Sequence, residues 1–241
     1  MAKTPSCSHL QLEQEYCCQA PLDLYKTPHC DGLVTQAQVG RHLQIIETVD
    51  QAARSPLRVR LCDDDYPGWI SADCARVLTP AAEPYQPDIL EPDAISANIY
   101  RVVDFAQAAM QHTNCYLWGG TIGPNFDCSG LVQAAFASIG VVLPRDSYQQ
   151  EQFVSSVVLE NVVAGDLLFF GTPVKTTHVA LYIGNGEYIH SSGRKQGRNG
   201  IGVDSITRLT DPISQAYYQQ LLGAGRVTRS YQTTGQPMNC R

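Results

Sequence analysis

Phe126-Asp127-Cys128-Ser129-Gly130-Leu131-Val132-Gln133-Ala134-Ala135-Phe136-Ala137-Ser138-Ile139-Gly140 is the stretch on which the reading of this 241-residue chain turns. Leu131, Val132, Ala135, Phe136 and Ile139 recur at helical spacing and line one face, and Gly140 offers a C-terminal stop. Asp127, Cys128 and Ser129 therefore lie at or near a helix N-terminus. A thiol is a good nucleophile only as thiolate, and an unperturbed cysteine of pKa about 8.5 is only a few per cent ionised at neutral pH. The unpaired N–H groups and roughly half positive charge of a helix N-terminus favour thiolate at Cys128, and the same N–H groups suit an oxyanion formed during acyl transfer. A buried structural thiol and a simple N-cap at Asp127 are the plainer alternatives.

A nucleophilic thiol needs a base, and two imidazoles follow on adjacent predicted strands. His178 opens His178-Val179-Ala180-Leu181-Tyr182-Ile183-Gly184, and His190 lies in Tyr188-Ile189-His190-Ser191-Ser192. His178 would take the thiol proton and later return one to a leaving amine, while His190 would hold its other ring nitrogen. Cysteine, base, then orienting residue is the chain order of papain-like sites. A strict two-residue hairpin at Asn185-Gly186 would set Leu181 against His190 and turn His178 to the other side of the sheet. The pairing therefore requires a bulge, a longer loop or strong twist, and Gly184-Asn185-Gly186 permits a bulge.

Further strands are expected at Asp166–Phe170, Glu187–Ser191 and Ile201–Ile206, and a first helix at Ala94–Met110. Helices followed by a run of strands make an α+β domain. Upstream, Pro80, Pro84, Pro87 and Pro92 mark a linker over 80–92 that separates a domain of residues 1–79 from one of residues 93–241. In the first domain Leu22 and Leu24, Leu43–Ile46 and Leu57–Leu61 read as short strands. The turn Asp63-Asp64-Asp65-Tyr66-Pro67-Gly68 precedes another, so a small β-barrel is expected.

Composition narrows the function classes. With 44% apolar and 17% charged residues the chain is an ordinary globule, and 17 Lys plus Arg against 23 Asp plus Glu, net −6, argues against a grip on nucleic acid. No apolar run approaches the roughly 18 residues of a membrane-spanning helix. Met1–Leu12 lacks a secretory pattern, and nine cysteines without regular spacing suit a reducing cytoplasm. Neither HExxH, paired short Cys spacings nor a phosphate-binding glycine pattern occurs, so no metal, cofactor, membrane or obligate protein partner is expected. Cys7 and Cys240 near the termini carry no evident role.

Four ordered blocks resemble the NlpC/P60 family of cysteine peptidases: Tyr116-Leu117-Trp118-Gly119-Gly120, Phe126–Val132, Gly165–Phe170, and His178–Gly184 with Tyr188-Ile189-His190. The resemblance spans about Asp93 to Val227. It implies a reduced papain-like α+β domain that cleaves the amide between γ-D-glutamate and a diamino acid in murein peptides. Cys128 is then the nucleophile, His178 the base and His190 the third polar residue. The first region is similar to the bacterial SH3-like domain that precedes the catalytic domain in γ-D-glutamyl-L-diamino acid endopeptidases, where it narrows the cleft for peptides with a free N-terminal L-alanine.

By the same resemblance, Tyr66, Asp127 and Ser129 belong to an ammonium-binding pocket, Arg145, Asp146 and Ser147 line the cleft, and Trp118 packs as part of its wall. Glu47 and Asp65 are both candidates for a first-domain acid in that pocket. The residue-level alternatives are core histidines at 178 and 190, turn and core aromatics at Tyr66 and Trp69, and a solvated turn pair at Arg145-Asp146. The expected activity is cleavage of small murein peptides in wall recycling or turnover. An amidase or acyltransferase using the same three residues, and a non-catalytic wall-binding protein, are the competing readings.

Overall fold

A computed structural model describes residues 10–48 and 55–238. Cys7, Cys240 and the first nine residues of the Met1–Leu12 segment lie outside the described residues. The chain divides into two units: one holds the chain up to Pro87 together with the segment from Gln232 onward, the other holds Asp88–Tyr231.

The first unit is a seven-stranded antiparallel sheet of β1 (Glu15–Cys18), β2 (Leu22–Tyr25), β3 (Leu33–Ala37), β4 (His42–Thr48), β5 (Leu57–Leu61), β6 (Pro67–Ile70) and β7 (Leu78–Pro80). The strand order is β3-β2-β6-β5-β4-β1-β7. Period-two alternation turns Tyr16 and Cys18, Leu22 and Leu24, Leu43 and Ile45, and Leu57, Val59 and Leu61 into one core. Each fully buried side chain of this size contributes roughly 1.5–3 kcal/mol of transfer free energy.

The Asp63-Asp64-Asp65 turn is held by cations rather than left to solvent. Arg41 bridges Asp63 at 2.8 Å and Asp64 at 2.7 Å, and Asp65, in the left-handed region at φ 58°, pairs with Arg60 at 2.6 Å. Asp65 also accepts from Thr233 Oγ1 at 2.5 Å and from the Thr234 N–H at 2.6 Å, and its carbonyl accepts from the Met238 N–H at 2.9 Å.

These bonds correct the expected boundaries of 1–79, 80–92 and 93–241. Pro80 pairs with Tyr16 as the end of β7, the Tyr85 N–H donates to Glu15, and the C-terminal segment belongs to the first unit. The return of that segment is polar, made by threonines and main chain, and so leaves no apolar periodicity to read.

The second unit runs α1 (Pro92–Gln111), α2 (Cys128–Ala137), α3 (Ser147–Phe153), β8 (Ser155–Val157), β9 (Leu167–Thr172), β10 (Lys175–Gly184), β11 (Glu187–Ser192), β12 (Gly200–Ser205), α4 (Pro212–Tyr218) and β13 (Leu221–Arg226). Its sheet is antiparallel in the order β12-β11-β10-β9-β13-β8. Val102 and Ala106 of α1 and Leu131, Val132, Ala135 and Phe136 of α2 share a core with Leu167, Phe169, Val179, Leu181 and Ile189. A second core on the alternate strand positions collects Leu168, Phe170, Ala180, Tyr182 and Tyr188 with Tyr217 of α4.

The expected helices and four strands of this unit are present. The seven-residue α3 and α4 and the strands β8 and β13 were not anticipated. Among the described residues no helix is long and apolar enough to cross a membrane.

Candidate active site

Cys128 is the first residue of α2, and Asp127 is its N-cap, accepting from the Gly130 N–H at 2.7 Å. The loop Leu117–Gly120 closes over this helix start: the Gly119 N–H donates to Asp127 Oδ2 at 2.8 Å and the Asp127 N–H to the Gly120 carbonyl at 3.1 Å. The approach is so close that a Cβ on Gly130 would lie 2.0 Å from the Gly120 carbonyl oxygen, which is why the residue two after Cys128 has no side chain.

Cys128 is only 7% exposed. Burial and the neighbouring Asp127 push the Cys128 thiol up to about 12, against main-chain N–H donation from Val179 and Ser129 and the charge of Arg145. The helix start alone was expected to favour thiolate; loss of water acts against it and outweighs it.

The two histidines meet because β10 is bulged. Leu181 faces Ile189 and Tyr182 faces Tyr188, but Gly184 faces Glu187, so the register shifts between Tyr182 and Gly184. This is one residue away from the pairing that a strict two-residue hairpin imposes. Ala180 then falls against His190, and His178 and His190 share a face.

His178 Nε2 and His190 Nδ1 are 2.7 Å apart, and His190 Nε2 is 2.7 Å from Asp204 Oδ2 on β12. The Tyr217 ring packs against both imidazoles, with centroids at 4.7 and 4.8 Å, and its hydroxyl is 2.6 Å from Ser192 Oγ. Burial and the adjacent His190 hold His178 well below its ordinary value, and burial likewise lowers His190 against the pull of Asp204. Although burial works to raise Asp204, His190 and Arg198 bring its carboxyl down to about 2.

The structure thus joins His178 and His190 to a carboxylate that sequence reading missed, and sets Cys128 against the N–H of Val179, the residue after His178. The signal was present in Ile201-Gly202-Val203-Asp204: Gly202 faces His190 and Asp204 faces Tyr188, so both belong to the histidine face. Tyr217 had no such signal, lying in a helix too short to show periodicity. Tyr116, half-buried, has its phenol pushed up by burial and then by Cys128 and Asp127.

The substrate-binding candidates fall into different places. Arg145, expected along the cleft, is 1% exposed and forks onto Asp127 at 2.6 and 3.1 Å while donating to Ser129 Oγ at 2.9 Å. It is an internal strut, and the solvated-turn alternative fails for it. Asp127 accepts from five donors, namely Gly119, Ser129, Gly130 and both Arg145 terminal nitrogens. It is therefore cap and counterion at once.

Asp146 is the N-cap of α3 in a capping box with Gln149, and Ser147 is the first residue of that helix. Trp118 is 70% exposed, so the expectation that it packs is corrected: it stands out from a loop pinned by the glycines after it. In the first unit Tyr66 is buried in the core cluster, Asp65 is engaged by Arg60, Thr233 and Thr234, and the exposed Glu47 pairs with Arg58 at 3.1 Å.

Residues 113–226 match the NlpC/P60 family and residues 24–73 match the bacterial dipeptidyl-peptidase Sh3 domain. The gamma-D-glutamyl-L-lysine dipeptidyl-peptidase of Bacillus subtilis (strain 168) is 43% identical over 101 residues, 41% of this chain and 32% of that protein. The bifunctional muramidase/DL-endopeptidase CwlT of the same strain is 35% identical over 116 residues, 46% of this chain and 32% of that protein. The crystal structure of an NlpC/P60 family protein from Bacillus cereus aligns with a TM-score of 0.47 at 22% identity, covering 90% of this chain and 64% of that chain. The chain spans about a third of the length of these two curated relatives.

Proposed function

We propose, for a chain that joins a bacterial SH3 domain to an NlpC/P60 peptidase domain, that it hydrolyses the amide between γ-D-glutamate and an L-diamino acid, diaminopimelate or lysine, in murein peptides bearing a free N-terminal L-alanine. The observation that carries this reading is the Cys128 thiol at the head of α2, bonded by the N–H of Val179, the residue after His178, whose ring is in turn 2.7 Å from His190. The role is turnover or recycling of wall peptides. The proposed location is the cytoplasm, supported by the seven described cysteines all standing as free thiols.

The chemistry follows from the positions. Cys128 Sγ attacks the γ-glutamyl carbonyl carbon as its proton passes to His178 Nδ1, the ring nitrogen that His190 leaves unoccupied. Main-chain N–H groups at the start of α2 meet the negative oxygen that develops. The C–N bond then breaks, the imidazolium gives its proton to the departing amine, and a thioester remains. Water, deprotonated by His178, attacks that thioester, the C–S bond breaks, and the thiolate takes the proton back.

The test is incubation with L-Ala-γ-D-Glu-diaminopimelate and its N-acetylated form, with products identified by mass. Free diaminopimelate and L-Ala-γ-D-Glu are expected. Because Asp127 already holds several donors, the acetylated peptide is expected to be cut about tenfold more slowly, the worth of one further shared hydrogen bond. An uncut free peptide, or full activity after Cys128→Ala, overturns the assignment. Equal cleavage of both peptides removes the amine preference and leaves the peptidase.

A further inference from the structure

We propose that Asp204 and Arg198 set the proton positions along the two histidines, so that His178 presents an unprotonated Nδ1 to Cys128 before any substrate arrives. The role of that nitrogen rests on the peptidase reading above; the proton arrangement itself does not.

The argument starts from an acceptor that cannot donate. Asp204 is 4% exposed. Its carboxylate accepts from Arg198 Nε at 2.8 Å, from Arg198 Nη2 and from Ser214 Oγ at 3.4 Å, and it lies 2.7 Å from His190 Nε2. An ionised carboxylate has no proton to give, so the His190–Asp204 contact requires the proton on His190 Nε2. A neutral His190 then carries a lone pair on Nδ1. The 2.7 Å contact of that atom with His178 Nε2 is a hydrogen bond only if His178 Nε2 donates. A neutral His178 with its proton on Nε2 has its lone pair on Nδ1. One carboxylate thus fixes the tautomer of a ring it does not touch.

Arg198 explains why this state holds. Were Asp204 uncompensated, its charge would draw a second proton onto His190, whose Nδ1 would then also donate. His178 Nε2 would have to accept, and its proton would move to Nδ1 and block the base. The Arg198 guanidinium neutralises the carboxylate and grips both of its oxygens, which removes that pull. Gly202 makes room for it: opposite His190 on β12, a Cβ would lie 2.6 Å from Arg198 Nη1. The other titratable groups around the chain are Cys128 from α2, Tyr188 from β11, and Asp211 and Tyr217 at the two ends of α4. Asp204 and Arg198 are positioning residues, acting through His190.

Two independent measurements test this. In histidine-15N-labelled wild-type protein at neutral pH, the ring nitrogens of His178 and His190 are expected to show both rings as Nε2–H tautomers. A His178 ring protonated on Nδ1 overturns the proposal, and this reading needs neither a variant nor a substrate. In the near-isosteric Asp204→Asn protein, either amide orientation sets an NH2 against an Arg198 donor or against the proton of His190. There kcat on L-Ala-γ-D-Glu-diaminopimelate is expected to fall about 10²- to 10⁴-fold with KM within about threefold.

Alkylation of Cys128 by iodoacetamide is expected to slow in parallel. Both losses are expected to vanish when Asp204→Asn is placed in a His190→Ala background, since the path runs through His190. Equal losses in the two backgrounds, or a loss confined to KM, overturn it. If the wild type cleaves no γ-glutamyl peptide, the peptidase reading falls while the NMR tautomers and the alkylation rates still decide the proton arrangement.

Discussion

At Cys128 the N-terminus of α2 and the loss of water act in opposite directions, and the balance sets the resting state of the nucleophile. Burial pushes the thiol up to about 12 and pulls His178 well below its usual range, so proton transfer belongs to the moment of attack. The thiolate fraction below its pKa rises about tenfold per pH unit. The rate of Cys128 alkylation by iodoacetamide in the free protein is therefore expected to climb continuously from pH 6 to 10; a plateau between pH 5 and 8 would show a preformed thiolate–imidazolium pair instead. Cys128 and His178 were legible as candidates because they sit in ordered blocks of sequence. Their ionisation was not, because a helix position can be read from periodicity while desolvation depends on the strands and loops that close over it. The same gap hid Arg145, whose burial follows from its partner Asp127, eighteen positions earlier in the chain.

Between elements, the decisive feature is a single extra residue in β10. Alternation and the Gly184-Asn185-Gly186 turn were visible in the sequence, but a one-residue register shift moves every side chain to the opposite face, and sequence alone left both faces open. The short helices escaped for a related reason: seven residues give barely two turns, and α4 is fixed by its Asp211 cap and by Ser214 donating to Asp204. The turn and the helix start are sensitive to glycine replacement in different ways. Gly184 has φ +99° and open space around a would-be Cβ, so Gly184→Ala meets only the backbone penalty, about 1 kcal/mol. Gly130→Ala drives a Cβ to 2.0 Å from the Gly120 carbonyl oxygen, and must displace the loop that covers the nucleophile. Urea unfolding is expected to show a small loss with retained activity for the first. For the second it is expected to show a loss of several kcal/mol with activity abolished; similar losses for the two would refute the distinction.

At the scale of the whole molecule the proline-rich division was legible, and the return of the C-terminal segment was not. Thr233 and Thr234 are ordinary polar residues until Asp65, held at φ 58° by its turn, presents a carboxylate to both. Burial alone would raise that carboxyl; the Thr233, Thr234 and Arg60 bonds outweigh it and hold the group below its ordinary value. The sign of the linkage follows. A carboxyl depressed in the folded state adds stability that is fully present above its unfolded pKa, near 3.8, and that disappears as pH falls through the lower folded value. Asp65→Asn is therefore expected to lower stability at pH 7 by roughly 1–3 kcal/mol, the cost of weakening hydrogen bonds to a charged group. The gap from wild type is expected to close progressively below about pH 4. Cutting the chain after Tyr231 removes both threonines and is expected to produce a loss of the same sign, after which Asp65→Asn should cost less than in the full chain, because the Thr233 and Thr234 bonds are already gone. A pH-independent penalty for Asp65→Asn, or an undiminished one in the shortened chain, would mean that the acid serves its own turn and not the returning segment.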